Sequence, residues 1–197
     1  KKIIKDFNGD THKTVLFLSY KAENWNTMDN IYKKYCQEKD IKVIVQCVPY
    51  YYKNIDGTFE KYIDGGMYPE YVTITPIEDY NYVNENPDVI VFQYPYDNYN
   101  SAGTTDPVFY SYNLASHTQK LIYIPYFRTD EIDENDMRAY TNMDAYVTMP
   151  GVVYADKVIV QSEEIRKLYI KKLTDFFGEE SEDEWEDKIE AEDIGGI

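Results

Sequence analysis

Thr14-Val15-Leu16-Phe17-Leu18-Ser19 decides how the rest of the chain is read. The run is apolar throughout, with no alternation of apolar and polar residues, and it is rich in β-branched and aromatic side chains. Such a strand is buried on both faces, which marks a parallel sheet covered by helices. The same form recurs in Val43-Ile44-Val45-Gln46-Cys47-Val48, Asp88-Val89-Ile90-Val91-Phe92-Gln93, Lys120-Leu121-Ile122-Tyr123-Ile124 and Lys157-Val158-Ile159-Val160-Gln161. Proline stops three of these runs, at Pro49, Pro95 and Pro125. Helical spacing separates them. Trp25, Met28, Ile31, Tyr32, Tyr35 and Cys36 share one side of residues 24–37, and Ile165, Leu168, Tyr169, Leu173, Phe176 and Phe177 share one side after Ser162. The pattern predicts a doubly wound, Rossmann-like α/β domain with a five- or six-stranded, mostly parallel sheet.

Residues 50–75 break this rhythm. Residues 58–63 and 71–75, separated by Asp64-Gly65-Gly66, read as a hairpin whose second half joins the sheet. Thr75-Pro76-Ile77-Glu78 reads as a capping box with proline at the first helical position, so a short helix is expected there.

The chain has 197 residues and a formal net charge of −16. That length suffices for one buried core without staples. The charge is uneven: residues 179–193 hold ten acidic residues and one lysine, net −9, leaving −7 for the remainder. The expected division is a domain over 1–178 followed by an acidic tail or linker start over 179–197, solvated and frayed, with Trp185 and Ile189 as its apolar anchors. A negative field of this size disfavours nucleic acid and anionic lipid as partners. No run approaches the ~18 apolar residues of a membrane span. Cys36 and Cys47 form no CxxC pair and read as buried, reduced thiols, in keeping with a cytoplasmic location, free or peripheral at the inner face of the membrane. The opening Lys1-Lys2-Ile3-Ile4 has no Met, so a fragment or processed form is expected.

In open α/β sheets, ligands sit beyond the carboxyl ends of the strands. The loops that follow the apolar runs contain Tyr20, Lys21 and Trp25, then Tyr50, then Tyr94, Tyr96, Asp97 and Asn98, then Tyr126 and Arg128, and finally Ser162. Tyrosine makes up 22 of the 197 residues, and these loops concentrate it at one edge. Ring faces beside amides and carboxylates suit a polyhydroxylated ligand, although tyrosines also simply pack loops. Asp97 is the candidate general base; the alternative is an Asx-turn residue that binds its own backbone. Lys21 and Arg128 are the cations placed to meet a phosphate, or else to pair with neighbouring carboxylates. Neither GxGxxG nor GxxxxGK[ST] occurs, and no GxSxG elbow is present. His12 and His117 lack a metal-type partner at helical spacing, and His117 reads as an ordinary helix residue. No metal or cofactor is expected.

Read as a series, Val15-Leu16-Phe17-Leu18-Ser19-Tyr20-Lys21-Ala22 with Trp25, Val48-Pro49-Tyr50-Tyr51 with Asp56-Gly57, Pro69-Glu70-Tyr71, and Pro87-Asp88-Val89-Ile90 show a likeness to known proteins. It continues through Pro95-Tyr96-Asp97-Asn98-Tyr99-Asn100, Leu121-Ile122-Tyr123-Ile124-Pro125-Tyr126-Phe127, and Tyr154-Ala155-Asp156-Lys157 onward to Glu163. The series resembles bacterial proteins of the CDP-glycerol glycerophosphotransferase-like family over residues 14–177. That resemblance implies the N-terminal half of a B-type glycosyltransferase, two Rossmann-like domains facing across a cleft. It implies an acceptor-binding role in cell-wall or surface-polysaccharide synthesis, with a glycan or polyol acceptor as partner. The family's donor-binding residues belong to a C-terminal half and map to no position here, so a fragment would need that donor-binding domain as its second partner. The competing readings are a stand-alone glycan or small-ligand binding module without chemistry, and a docking face for another protein.

Overall fold

The computed structural model describes residues 12–130, 132 and 136–195; the opening Lys1-Lys2-Ile3-Ile4 and the last two residues lie outside them. In chain order the elements are β1 (Lys13–Ser19), α1 (Asn26–Gln37), β2 (Ile41–Cys47), β3 (Tyr50–Lys53), β4 (Phe59–Tyr62), α2 (Tyr82–Glu85), β5 (Val89–Phe92) and β6 (Gly103–Thr105). There follow α3 (Ser111–Ser116), β7 (Lys120–Tyr123), α4 (Met137–Asn142), α5 (Asp144–Val147), α6 (Pro150–Tyr154), β8 (Lys157–Val160), α7 (Glu163–Phe177), α8 (Glu182–Lys188) and β9 (Ile189–Ala191). The main sheet has six strands in the order β2-β1-β5-β7-β8-β9, and every pair is parallel.

Alternate residues of the central strands feed two cores. Leu16, Leu18, Ile90, Phe92, Leu121 and Tyr123 pack with residues of α3, α6 and α7 on one face. Val15, Phe17, Val45, Val91, Ile122 and Ile159 pack on the other face with Met28, Ile31 and Tyr32 of α1. Helices on both faces explain why these strands carry no polar stripe. Ser162 caps α7, its Oγ accepting from the Ile165 N–H at 3.2 Å, and Glu163 and Glu164 complement the positive end of the helix.

Four sequence expectations need correction. First, β4 pairs with β3, antiparallel, with Tyr50 opposite Tyr62 and Tyr51 opposite Lys61. The turn is Asp56-Gly57, where Gly57 takes φ +83° and Asp56 accepts from the Thr58 N–H. Residues 71–75 are not the partner of β4, and they reach the main sheet through a single parallel bridge, Ile74 to Val45. A second sheet of order β4-β3-β6 results. Second, the expected capping box at Thr75 is not formed. Thr75 donates its N–H to the Val45 carbonyl, and only a 3-10 turn over Ile77–Asp79 follows. Third, Cys36 is exposed at the end of α1, while Cys47 is buried at the end of β2 as expected. Fourth, His117 stands just past α3, capping it, and not within it.

The acidic segment is also part of the fold and not a frayed end. After a 3-10 turn at Glu179–Ser181, α8 buries Trp185 against Phe177, and β9 joins the sheet beside β8. Residues 192–195 then cross the α1 side, with Ile194 inserted into that core. The acidic side chains find cations on other elements: Glu190 pairs with Lys157, Glu192 with Lys34, and Asp193 lies 3.9 Å from Arg128. Among the described residues, no helix is long and apolar enough to cross a membrane.

The packing of Trp185 yields a prediction. Trp185→Ala should lower the unfolding free energy by about 3–5 kcal/mol in urea titrations, since a buried indole is replaced by a cavity. A solvated tail would leave the midpoint unchanged.

Candidate functional site

The second sheet stands over the carboxyl ends of β1 and β2 and completes a tyrosine cluster there. Tyr20, directly after β1, is its hub. Its ring centroid lies 4.9 Å from Tyr50, 5.1 Å from Tyr94 and 5.0 Å from Tyr126. Tyr96 stacks edge-on to Tyr94 at 5.2 Å, and its hydroxyl is 3.4 Å from that of Tyr126. The Lys21 ammonium sits 5.3 Å from the centroids of both Tyr20 and Tyr50, within cation–π range. Six of the expected site residues therefore converge: Tyr20, Lys21, Tyr50, Tyr94, Tyr96 and Tyr126.

Beside this cluster opens a cleft of about 440 Å³ lined by Lys21, Ala22, Glu23, Tyr50, Tyr52, Tyr62, Asp64, Gly66 and Met67. Tyr50 forms its floor, with its hydroxyl 3.3 Å from that of Tyr52. Tyr52 and Tyr62 are 40% and 42% exposed and present their ring faces as walls. Asp64 closes one end: its carboxylate accepts from the N–H groups of Ala22 at 2.5 Å and Gly66 at 3.2 Å. That closure requires glycine at 66, where a Cβ would come 2.7 Å from the Ala22 Cβ. Lys21 is 3.6 Å from Glu23 at the rim.

Burial pushes the phenols of Tyr20, Tyr50, Tyr94 and Tyr96 above their ordinary range. They therefore stay protonated at physiological pH. They act as neutral donors and acceptors on flat apolar faces and furnish no phenolate base.

Of the six converging residues, Lys21 and Tyr50 line the cleft, and the other expected residues join neither the cluster nor the cleft. Trp25 is buried in the α1-side core, where its indole N–H donates to Asp29 at 3.0 Å. Asn98 is exposed, and its backbone carbonyl accepts from Lys53 at 3.2 Å. Arg128 donates to the Gly195 carbonyl and faces Asp193, so the chain's own C-terminal segment holds it. Ser162 serves as the cap of α7.

Asp97 differs most from the expectation. It is 4% exposed and adopts φ +50°, a left-handed conformation that Asp tolerates better than most residues. Its carboxylate points inward, accepting from the Ser111 N–H at 2.9 Å and from the Ser111 hydroxyl at 2.8 Å. It ties the loop bearing Tyr94 and Tyr96 to the start of α3. The Asx-turn alternative also fails, since the partner is 14 residues away. Conversely, Tyr52, Tyr62 and Asp64 belong to the site although sequence reasoning passed over them. The signal that could have found them is Asp56-Gly57, which places Phe59-Glu60-Lys61-Tyr62 opposite Tyr50-Tyr51-Tyr52-Lys53.

Among the described residues, no three His, Cys, Asp or Glu side chains group to hold a metal ion. Comparison with protein-family models, curated proteins and solved structures finds no match to this chain.

The buried Asp97 carries a pH signature. Burial raises its pKa, and the two hydrogen bonds from Ser111 only partly oppose this. The folded state thus binds the proton at higher pH than the unfolded chain, so this group favours folding more as pH falls through the raised value. Asp97→Asn should accordingly gain stability relative to the parent on going from about pH 4 to neutral pH. Asp97→Ala should lose about 1–3 kcal/mol at both, because it leaves the Ser111 donors unpaired. Urea titrations at the two pH values check this, and an Asn variant that loses stability relative to the parent toward neutral pH would contradict it.

Proposed function

We propose that this domain binds a polyhydroxylated ligand, a glycan or polyol, in the tyrosine cleft. We further propose that it serves as the acceptor-binding side of a glycosyl- or glycerophosphotransferase-like protein of cell-wall or surface-polysaccharide synthesis. The observation that carries the binding reading is the convergence of Tyr50, Tyr52 and Tyr62 with one ammonium, Lys21, on a cleft at the carboxyl edge of a parallel sheet, with Tyr20 packed against Tyr50 behind it. Sugar and polyol C–H surfaces lie on aromatic faces, and their hydroxyls exchange hydrogen bonds with neutral phenols. The transferase part rests on the resemblance of the sequence series to the CDP-glycerol glycerophosphotransferase-like family.

In this reading the chain's residues bind and orient. The acceptor hydroxyl is the nucleophile, the tyrosine faces fix its carrier, and Lys21 at the rim offsets negative charge near it. Asp97 supplies no base, since both of its oxygens are bonded to Ser111 away from the cleft. That burial favours the second reading, a binding module without chemistry.

Calorimetric titration with glycerol, maltose and glycerol 3-phosphate tests the binding reading. At least one should bind saturably, and Tyr52→Ala or Tyr62→Ala should weaken it about tenfold, the equivalent of about 1.4 kcal/mol of ring contact. Asp97→Asn should leave that affinity unchanged. Absence of saturable binding across the panel would remove the basis of the reading.

A further inference from the structure

The β3–β4 hairpin has two sides. The cross-strand pair Tyr51 and Lys61 faces a separate cavity of about 220 Å³, walled chiefly by the ring and aliphatic surface of Tyr80, Tyr82, Phe109, Pro49 and Ile77. Tyr50, Tyr52 and Tyr62 face the cleft described above, which one lysine and two carboxylates line. Lys21 lies over Tyr20 and Tyr50 and 3.6 Å from Glu23, so its charge is matched within the molecule. Asp64 has no such match. Its Oδ2 accepts from the Ala22 N–H and its Oδ1 from the Gly66 N–H, which leaves each oxygen further capacity to accept. Among the described residues, no ammonium or guanidinium pairs with this carboxylate, and none stands over the ring of Tyr52 or Tyr62.

Elsewhere the molecule shows what a tyrosine ring beside a carboxylate holds. The Lys33 ammonium lies 4.8 Å from the Tyr71 centroid, and Asp29 accepts both from that ammonium at 2.6 Å and from the Tyr71 hydroxyl at 2.7 Å. The Lys171 ammonium lies 4.6 Å from the Tyr140 centroid, and Asp175 accepts from it at 2.7 Å and from the Tyr140 hydroxyl at 2.6 Å. In both places one ammonium is shared between a ring face and a carboxylate. The cleft repeats the two parts in a form open to solvent. Tyr52 and Tyr62 set their rings 6.1 Å apart with planes at 66°, and Asp64 closes the end. The chain as a whole carries −16, a field that gathers cations and repels anions.

We infer that the ligand of the tyrosine cleft is a hydroxylated amine, an amino sugar or amino alcohol, whose ammonium lies on Tyr52 and Tyr62 and donates to Asp64. The inference rests on the polyol reading and narrows it to a cationic class, setting phosphorylated and neutral polyols below it.

The probes are glucosamine and glucose, which share one pyranose frame and differ by an ammonium against a hydroxyl. They are titrated into the full chain at about pH 6, below the range in which amines lose their proton, and followed by calorimetry and amide NMR shifts. Glucosamine should bind at least about tenfold more tightly than glucose, with shifts centred on Tyr52, Tyr62 and Asp64. That advantage should shrink in about 0.5 M salt. Asp64→Asn keeps an acceptor for one backbone N–H, and it should bring glucosamine down to the affinity of glucose while leaving glucose unchanged. Glucose binding as tightly as glucosamine would overturn the inference and leave the polyol reading standing. Shifts centred on residues 179–193 would place the amine on the acidic segment and overturn it as well. Saturation by neither sugar, together with failure of glycerol and maltose, would remove both. The comparison of the two sugars and its salt dependence use the parent protein, so they decide even if the Asn variant folds poorly.

Discussion

The side-chain amide of Gln93 occupies the point on which the site depends. There the connections from neighbouring strands part: β1 leads to α1 on one face of the sheet, and β5 leads to α3 on the other. A parting of this kind opens a crevice. Gln93, fully buried, fills it. Its Oε1 accepts from the Tyr20 N–H at 3.0 Å, and its Nε2 donates to the Asn24 carbonyl at 3.0 Å and to Thr27 Oγ1 at 2.9 Å. Beside it, Ser19 Oγ accepts from the Tyr68 hydroxyl at 3.0 Å. In dinucleotide-binding folds this place is a glycine-rich turn whose bare N–H groups meet a pyrophosphate. Here a polar plug and the 3-10 turn at Ala22–Asn24 occupy it, and the space for a ligand is displaced outward, onto Lys21 and the second sheet.

The same logic of internal satisfaction governs the charge. A net −9 over residues 179–193 suggests a segment that cannot pack, and the inference fails because it counts charge without asking which side of an element bears it. Trp185, Ile189 and Ile194 are spaced so that each is buried while the acids between them point outward or meet Lys34, Lys157 and Arg128. Three well-placed apolar residues anchor the segment because a strand edge was already there to receive β9. The cost to the site is Arg128, which is drawn toward the C-terminal segment.

What was legible in the sequence follows the same division. The β1, β2, β5, β7 and β8 runs were readable because burial on both faces leaves an uninterrupted apolar signature, which a local window detects. The positions of Tyr20, Tyr94, Tyr96 and Tyr126 followed, since they sit one to four residues past those strands. Roles were harder. Asp97, Trp25 and Ser162 lie in the right loops, but a residue's place in a loop does not say whether its side chain points in or out. That depends on partners far along the chain, such as Ser111 for Asp97. The second sheet was misread because Asp64-Gly65-Gly66 and Asp56-Gly57 are both turn signals, and only the second has four-residue strand-like runs on each side that can pair.

That hairpin also explains how one short stretch serves two unlike cavities. Successive residues of a strand face opposite sides, so Tyr50-Tyr51-Tyr52 gives two rings to the polar cleft and one to the apolar cavity. A slip of one residue in register would exchange the two sets. The register is pinned at the turn by Gly57, and at the end of β3 by Lys53, whose ammonium donates to the carbonyls of Asn98 at 3.2 Å and Asn100 at 2.6 Å. Pairing of Tyr51 with Thr104 fixes the remaining edge. The wall between the two cavities is thus a single layer of backbone, held at its turn and along one edge.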